Sequence, residues 1–282
     1  MTLPSKTMSL PLSQLLATFE SFWPISGAEE WDRPGLTTGR PDQQITKVLL
    51  CVDVTREVLA EASTLGCELV VSHHPLLLKG INFLVEDQLK GELVAFAVKN
   101  SIALYSAHTN ADIVVDGVSD VLARALGLTS ATPLVPTGTG IGHGRIGKLT
   151  RAQKLSEFAK FVAAQLPTTN APVRVAGDTN LMIDTVAVVG GAGDSFISAA
   201  SDSGAQVLVT SDLRHHVTLD SVSDPRNPLA LIDVSHFAAE SLWLNPTRKL
   251  LEQALSPVSF VVSQVSTDPW SMTVPGKSNS EG

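Results

Sequence analysis

Residues 67–79 read Cys-Glu-Leu-Val-Val-Ser-His-His-Pro-Leu-Leu-Leu-Lys, and this stretch decides the fold class. The apolar run over residues 69–71 is typical of a buried parallel strand, and Pro75 ends it. His73 and His74 therefore follow the carboxyl end of a strand, where α/β proteins place their functional groups. Two imidazoles at a strand end predict the beginning of a metal site.

The flanking segments complete a βαβ unit around this strand. A strand over residues 47–53 precedes an amphipathic helix over residues 55–65, and the strand that ends in the two histidines follows. A third strand, over residues 102–106, leads to His108. Asp112 lies four residues further on, so a second strand end also carries potential metal ligands.

The C-terminal half repeats this pattern. Residues 66–72 and 204–210 match in character at each position, and each segment ends a βαβ unit. The His-x-x-x-acid pattern after the next strand recurs as His236 and Glu240. If these segments are helical, the spacing places imidazole and carboxylate on one helix face, which suits shared metal coordination.

The repeat predicts an α/β protein of two pseudo-symmetric α/β domains, with mixed sheets flanked by helices and a metal cleft between them. We expect the first half over residues 1–130 and the second over 146–270. Residues 131–145 are rich in Thr, Pro and Gly, so they predict a linker or loop. The polar residues 271–282 predict a disordered tail.

Composition restricts the classes of partner. The formal charge of −8 and the absence of a basic cluster argue against strong nucleic-acid binding, because phosphate contacts need cations. No apolar run reaches the length of a membrane span, and no signal-peptide pattern is present. Cys51 and Cys67 both lie in apolar strand-like runs, which is typical of buried thiols in a reducing compartment. We therefore expect a cytoplasmic protein that does not bind membranes.

Each motif also has an ordinary structural explanation. A single His-His pair is weak evidence, but six of the seven histidines directly follow strands, which favours a joint metal site. Asp112 or Glu240 could instead be an acidic first-turn residue favoured by a helix dipole. Residues 190–193, Gly-Gly-Ala-Gly, could cradle a phosphate or form a tight turn. Residues 212–216 could line the cleft or start a helix.

Several motifs, taken in order, resemble a known family. They are Glu-Trp-Asp at 30–32, Ser-His-His-Pro-Leu at 72–76, Ala-His-Thr-Asn-Ala-Asp at 107–112, Gly-Arg-Ile-Gly at 144–147, Gly-Gly-Ala-Gly at 190–193 and Asp-x-x-His-x-x-x-Glu at 233–240. Over residues 12–270 the chain resembles the Nif-three-like family, whose bacterial members are named GTP cyclohydrolase I type 2 homologs.

The resemblance implies a dinuclear metal centre and a homohexameric ring. The implied metal ligands are His73, His74, Asp112, His236 and Glu240. The chain departs from the family pattern at four positions, with Ser211 and Ser235 where glycine is common, Phe237 where tyrosine is common and Arg33 where asparagine is common. These changes affect the backbone and a substrate contact, whereas every implied ligand keeps a competent side chain.

Three imidazoles and two carboxylates suit two divalent ions of Zn, Fe, Mn, Co or Ni. The resemblance implies a metal-dependent hydrolase in which an activated water attacks the guanine ring of GTP, a small-molecule substrate. Proton transfer is expected from His108 or His216, and the phosphates need cations, for which Arg145, Arg214 and Lys79 are candidates. The alternatives are another metal-dependent phosphoester or nucleotide hydrolase, and a noncatalytic metal-binding or regulatory protein.

Overall fold

The computed structural model describes residues 8–226 and 229–274. The strands within these ranges are β1 (Leu10–Pro11), β2 (Gly35–Thr38), β3 (Gln44–Ile45), β4 (Lys47–Cys51), β5 (Leu69–Ser72), β6 (Ala103–Ser106), β7 (Thr129–Gly138), β8 (Ile141–Lys154), β9 (Arg174–Ala176), β10 (Met182–Ala192), β11 (Val207–Ser211), β12 (Ala230–Val234) and β13 (Ser259–Val262). The α-helices are α1 (Leu12–Phe22), α2 (Arg56–Thr64), α3 (Leu89–Lys99), α4 (Thr109–Asp112), α5 (Val118–Ala125), α6 (Leu155–Gln165), α7 (Ile197–Asp202), α8 (His215–Ser223), α9 (His236–Ser241) and α10 (Leu244–Ala254). The predicted mixed α/β fold, with sheets flanked by helices, is confirmed.

The first compact unit contains the described residues up to Val121 together with Trp243–Thr267. Its five-stranded sheet has the order β13-β4-β5-β6-β2, with β2 antiparallel to β6 and the other pairs parallel. All four residues of β5 are buried, as expected for a central strand covered on both faces. The carboxyl ends of β4, β5 and β6 meet at one edge, so the residues that follow these strands lie close together.

The residues at its two ends determine where α2, the helix between β4 and β5, begins and ends. The side chain of Thr55 accepts a hydrogen bond from the N–H of Val58 at 3.3 Å and so caps α2. Gly66 follows the helix with φ of +68°, a left-handed conformation that glycine adopts without strain. Val58, Leu59 and Ala62 are then buried in the core of this unit.

The second compact unit contains Leu122–Leu242 and the described residues from Asp268 onward. Its six-stranded sheet has the order β7-β8-β10-β11-β12-β9, in which β10, β11 and β12 are mutually parallel and the outer pairs are antiparallel. The first unit therefore has four adjacent parallel strands and the second unit has three. In the second unit α9 begins at His236, just after β12.

Two segments differ from the sequence-based expectations. The predicted linker over residues 131–145 forms most of an antiparallel hairpin, in which β7 pairs with β8. Pro133 and Pro136 fit there because β7 is an edge strand, where a missing N–H costs little. Residues 259–262, expected to belong to the second half, form β13, which pairs with β4 in the first unit.

No helix in the described part of the chain is both long enough and apolar enough to cross a membrane. Residues 271–274 of the predicted tail belong to the described part and carry no helix or strand. The rest of that predicted tail, residues 275–282, lies outside the described residues.

Candidate metal centre

Three imidazoles lie at the carboxyl edge of the first unit's sheet. His73 and His74 directly follow β5. The backbone N–H of His73 donates to the carbonyl of Cys51 at 3.0 Å, and the backbone N–H of His74 donates to the carbonyl of Val52 at 2.9 Å. His108 follows β6, the next strand in the sheet. The ligand nitrogens of His73, His74 and His108 all lie within 4.8 Å of one another. A group this compact has the size required to hold a metal ion.

A carboxylate lies beside these imidazoles. The N–H of Asp112 donates to the carbonyl of His108 at 3.2 Å, so the short helix α4 places Asp112 one turn further along the chain. Its Oδ1 is 3.6 Å from Nε2 of His73, an imidazole that is 1% exposed. Asp112 therefore adds an oxygen donor to the nitrogen donors of this unit.

Each of the three imidazoles is oriented through its Nδ1 atom. Nδ1 of His73 is 2.9 Å from the carbonyl of Ala107. Nδ1 of His74 is 2.7 Å from Oδ1 of Asp53, and Nδ1 of His108 is 2.9 Å from Oδ2 of Asp32. Because a carbonyl or carboxylate oxygen accepts, Nδ1 donates in each pair, and in the neutral ring Nε2 is then the atom with the lone pair. This is the arrangement that orients histidine ligands in metal sites.

Asp32, which contacts Nδ1 of His108, is held as an anion. Burial alone raises the pKa of this carboxyl, but hydrogen bonds from His108 and Thr109 outweigh it and lower the pKa to about 2. The hydroxyl of Thr109 donates to Oδ2 of Asp32 at 2.6 Å, and the N–H of Thr109 donates at 3.2 Å. The side chain of Asp32 is fully buried. The carboxylate therefore fixes the ring orientation of His108.

The second unit carries a smaller set on α9. Nε2 of His236 is 2.9 Å from Oε1 of Glu240, one turn later, and Glu240 is 3% exposed. The helical spacing expected from the sequence is thus present. Nδ1 of His236 lies 2.7 Å from Oδ2 of Asp212, whose backbone has the left-handed φ of +59°. Asp212 orients His236 as Asp53 orients His74.

Gly191 fits closely against this pair. A Cβ atom at this position would lie 2.7 Å from Oε1 of Glu240 and 3.3 Å from Nε2 of His236, and φ is +74°. A side chain here would push directly on these two candidate ligands. The backbone at Gly191 therefore lies against a carboxylate, and the phosphate cradle considered from the sequence for residues 190–193 stays a prediction.

The remaining predicted residues lie in different surroundings. His216 is exposed in the first turn of α8, with its ring centroid 5.2 Å from that of His215. Arg145 is 1% exposed and its Nη1 donates to the carbonyls of Gly142 and Gly144 at 2.7 Å each. Lys79 is exposed, and Arg214 forms an ion pair with Asp194. Arg145 is thus held by backbone carbonyls near the start of β8.

The donor sets fit divalent transition metals. Imidazole nitrogens combined with carboxylate oxygens are the ligands that Zn, Fe, Mn, Co and Ni accept. The residues of both units therefore fit a metal ion by donor type, whereas the cleft between the two halves stays a prediction.

Sequence reasoning missed the residues that orient the imidazoles. Asp53 follows β4 at the same edge as His73 and His74, so the βαβ topology contained the signal that would place it there. Asp32 lies in the Glu-Trp-Asp motif, yet only the fold shows that it reaches His108, 76 positions away in the sequence. Asp212 was part of an ambiguous cluster, and the structure separates it from His215 and His216.

The fold and these donor sets define a class: α/β proteins with a candidate transition-metal site at the carboxyl ends of parallel strands. The sequence profile of Duf34/NIF3 (NGG1p interacting factor 3) matches residues 10–269. The chain belongs to this family.

Related proteins cover nearly the full chain. A Streptomyces coelicolor protein named GTP cyclohydrolase 1 type 2 homolog is 40% identical over 273 residues, which is 93% of this chain and 94% of that protein. A Clostridium perfringens protein of the same name is 34% identical and covers 93% of this chain and 99% of its own. The crystal structure of a Bacillus cereus protein related to NIF3 superposes with a TM-score of 0.86 at 25% identity, covering 95% of this chain and 100% of that one.

Proposed function

We propose that this protein is a metal-dependent hydrolase that uses two divalent metal ions. The observation that carries the proposal is the group of His73, His74 and His108, whose ligand nitrogens lie within 4.8 Å of one another. Each of these rings is fixed through Nδ1 by a carbonyl or a carboxylate. Such preorganisation is what a metal site requires.

The proposed metal ligands come from both units. They are His73, His74, His108, Asp112, His236 and Glu240. Bound divalent ions supply Lewis acidity, lowering the pKa of water towards neutrality and polarising the group under attack. The sequence alone suggests proton transfer for His108, but its place among the ligand nitrogens favours ligation. His216, exposed on α8, is then the remaining candidate for proton transfer.

The proposed substrate is a nucleotide, and GTP is the first to test. Support comes from the relatives in Streptomyces coelicolor and Clostridium perfringens, which are named GTP cyclohydrolase 1 type 2 homolog. In the proposed reaction water adds at C8 of the guanine ring, a C8–N bond breaks, and a second hydrolysis releases formate. The homohexamer and the cytoplasmic location implied by the family resemblance are proposed with it.

Metal content distinguishes ligation from proton transfer at His108. We expect His108→Ala to lose bound metal when measured by plasma mass spectrometry after dialysis. His143→Ala is the matched control, because the His143 ring packs against Phe196, with centroids 5.5 Å apart, and is not part of the proposed ligand set. Full metal content in His108→Ala with turnover lost would return His108 to the role of proton carrier.

Turnover is tested by incubating the metal-loaded protein with GTP and measuring formate. We expect formate from the wild type, and strongly reduced formate from His73→Ala and His236→Ala. Metal-loaded protein that releases no formate from GTP rules out the cyclohydrolase activity. Release of phosphate instead would favour a phosphoester or nucleotide hydrolase, and metal binding without any turnover would favour a noncatalytic role.

A further inference from the structure

An indole is exposed beside the imidazole group of the first unit. Trp31 is 60% exposed, whereas Trp23 and Trp243 in the same unit are 2% and 1% exposed. The ring centroid of Trp31 lies 5.9 Å from that of His108, with the planes at 77°. Exposing an indole to water forgoes a large burial gain, so this position is unusual for a merely structural tryptophan.

The loop that carries Trp31 is held firmly on both sides of the indole. The N–H of Asp32 donates to the carbonyl of Glu29 at 2.9 Å, and the N–H of Glu29 donates to the hydroxyl of Thr109 at 3.0 Å. Nη1 of Arg33 donates to the carbonyls of Glu30 and Asp32. A loop held in this way loses little backbone entropy when a ligand packs on its indole.

The charges of the loop favour a ring over a phosphate as the recognised group. Glu29 and Glu30 place two carboxylates next to Trp31, against the single guanidinium of Arg33. The carboxylate of Asp32 is buried and accepts hydrogen bonds from Thr109. Arg33 is also engaged by the two backbone carbonyls. The loop therefore offers a phosphate no excess of positive charge, whereas a planar heteroaromatic ring can stack on indole whatever its substituents.

We propose that Trp31 stacks against the planar heteroaromatic ring of the substrate and that Arg33 holds the loop in the conformation this requires. The proposal rests on the proposed function, since it takes the neighbouring imidazoles as the reaction centre. It makes Trp31 the residue that selects nucleobase-like rings, while phosphate groups are recognised elsewhere. The proposed ligands are therefore molecules that contain a planar heteroaromatic ring, with or without phosphate groups.

Binding is measured with GTP, guanosine and inorganic tripolyphosphate as separate probes, using metal-loaded full-length protein. We expect Trp31→Ala to weaken GTP and guanosine about 5- to 150-fold, the range that base stacking on an aromatic side chain gives. Trp31→Phe should fall between alanine and the wild type. Tripolyphosphate binding should be unchanged in both variants, because it contains no ring.

Trp270→Ala is the matched control, since Trp270 is 64% exposed and lies in the second unit. It should leave all three affinities unchanged, and guanosine should quench the fluorescence of this variant but not that of Trp31→Phe. Unchanged metal content and melting temperature in Trp31→Ala confirm that the fold survives.

Two results would overturn the stacking role. One is unchanged guanosine affinity in Trp31→Ala, and the other is a change of molar mass in light scattering, which would make Trp31 a subunit contact. If the wild type releases no formate but guanosine binding still depends on Trp31, the hydrolase proposal fails while the stacking role stands. If formate is released and the KM for GTP is unchanged in Trp31→Ala, the hydrolase proposal stands while the stacking role fails.

Discussion

At the scale of single residues, the imidazoles depend on partners that the sequence does not place next to them. His74, His108 and His236 each contact an aspartate through Nδ1, at 2.7, 2.9 and 2.7 Å. The histidines were found from the sequence because they directly follow apolar strands. Their aspartates were not identified as partners, because contacts across 21 to 76 positions become visible only once the strands are paired.

Asp212 is the most informative of these partners to change. Asn keeps the shape of Asp and tolerates the φ of +59° found here, so Asp212→Asn should preserve the fold. The carboxylate that orients His236 is lost, and we expect metal affinity to fall about 10- to 100-fold. Competition with a metal chelator measures this change.

Asp42→Asn is the control for Asp212→Asn, since the side chain of Asp42 is 83% exposed and pairs only with the exposed Arg40 among the described residues. Its metal affinity should equal that of the wild type. Equal affinity in Asp212→Asn as well would mean that Asp212 does not orient a ligand.

At the scale of elements, short-range patterns predict the strands and helices that carry the site. The apolar run of β5, the cap of α2 and the His-x-x-x-Glu spacing of α9 are all local signals. The β7–β8 hairpin was missed because Pro, Gly and Thr are frequent in loops, although an edge strand accepts them too. The pairing of β13 with β4 has no local signal, because it joins residues about 200 positions apart.

The contact between the end of β10 and α9 gives a test at this scale. Gly191→Ala combines a left-handed backbone with a Cβ 2.7 Å from Glu240, whereas Gly204→Ala has a φ of +80° and no neighbour within 4 Å. We expect Gly204→Ala to lower the free energy of unfolding by about 1 kcal/mol. Gly191→Ala should lower the free energy of unfolding by more than Gly204→Ala does, and it should also lower the affinity for metal.

Urea unfolding and chelator competition on both glycine variants provide the comparison. Because the backbone penalty is shared, the difference between the variants isolates the contact with the His236–Glu240 pair. Equal losses of stability, with metal affinity intact in both, would contradict the close packing of β10 against the His236–Glu240 pair.

At the scale of the whole molecule, the protein keeps its two thiols inside a core. Cys51 and Cys67 are free and buried in the first unit. Burial raises the pKa of the Cys51 thiol well above its usual range, and it raises the pKa of Cys67 to about 11. Thiolate is therefore scarce in the folded protein at neutral pH, and both sulfurs are shielded from reagents.

Thiol labelling with a disulfide reagent should accordingly follow global unfolding. We expect almost no reaction at pH 7 to 8 in the native protein and two thiols per chain in denaturant, which matches the two cysteines of the sequence. Fast labelling of the native protein would show that the strand ends of the first unit open locally.

The central claim is that the donor sets of the two units bind metal, and the metal content of the purified wild-type protein tests it most directly. Plasma mass spectrometry, combined with protein quantification by amino-acid analysis, gives the number of ions per chain after dialysis against metal-free buffer and after reloading with Zn, Mn or Fe. We predict two tightly held divalent ions per chain, with losses in His73→Ala and in His236→Ala. A wild-type protein that retains no divalent ion after reloading would contradict the claim.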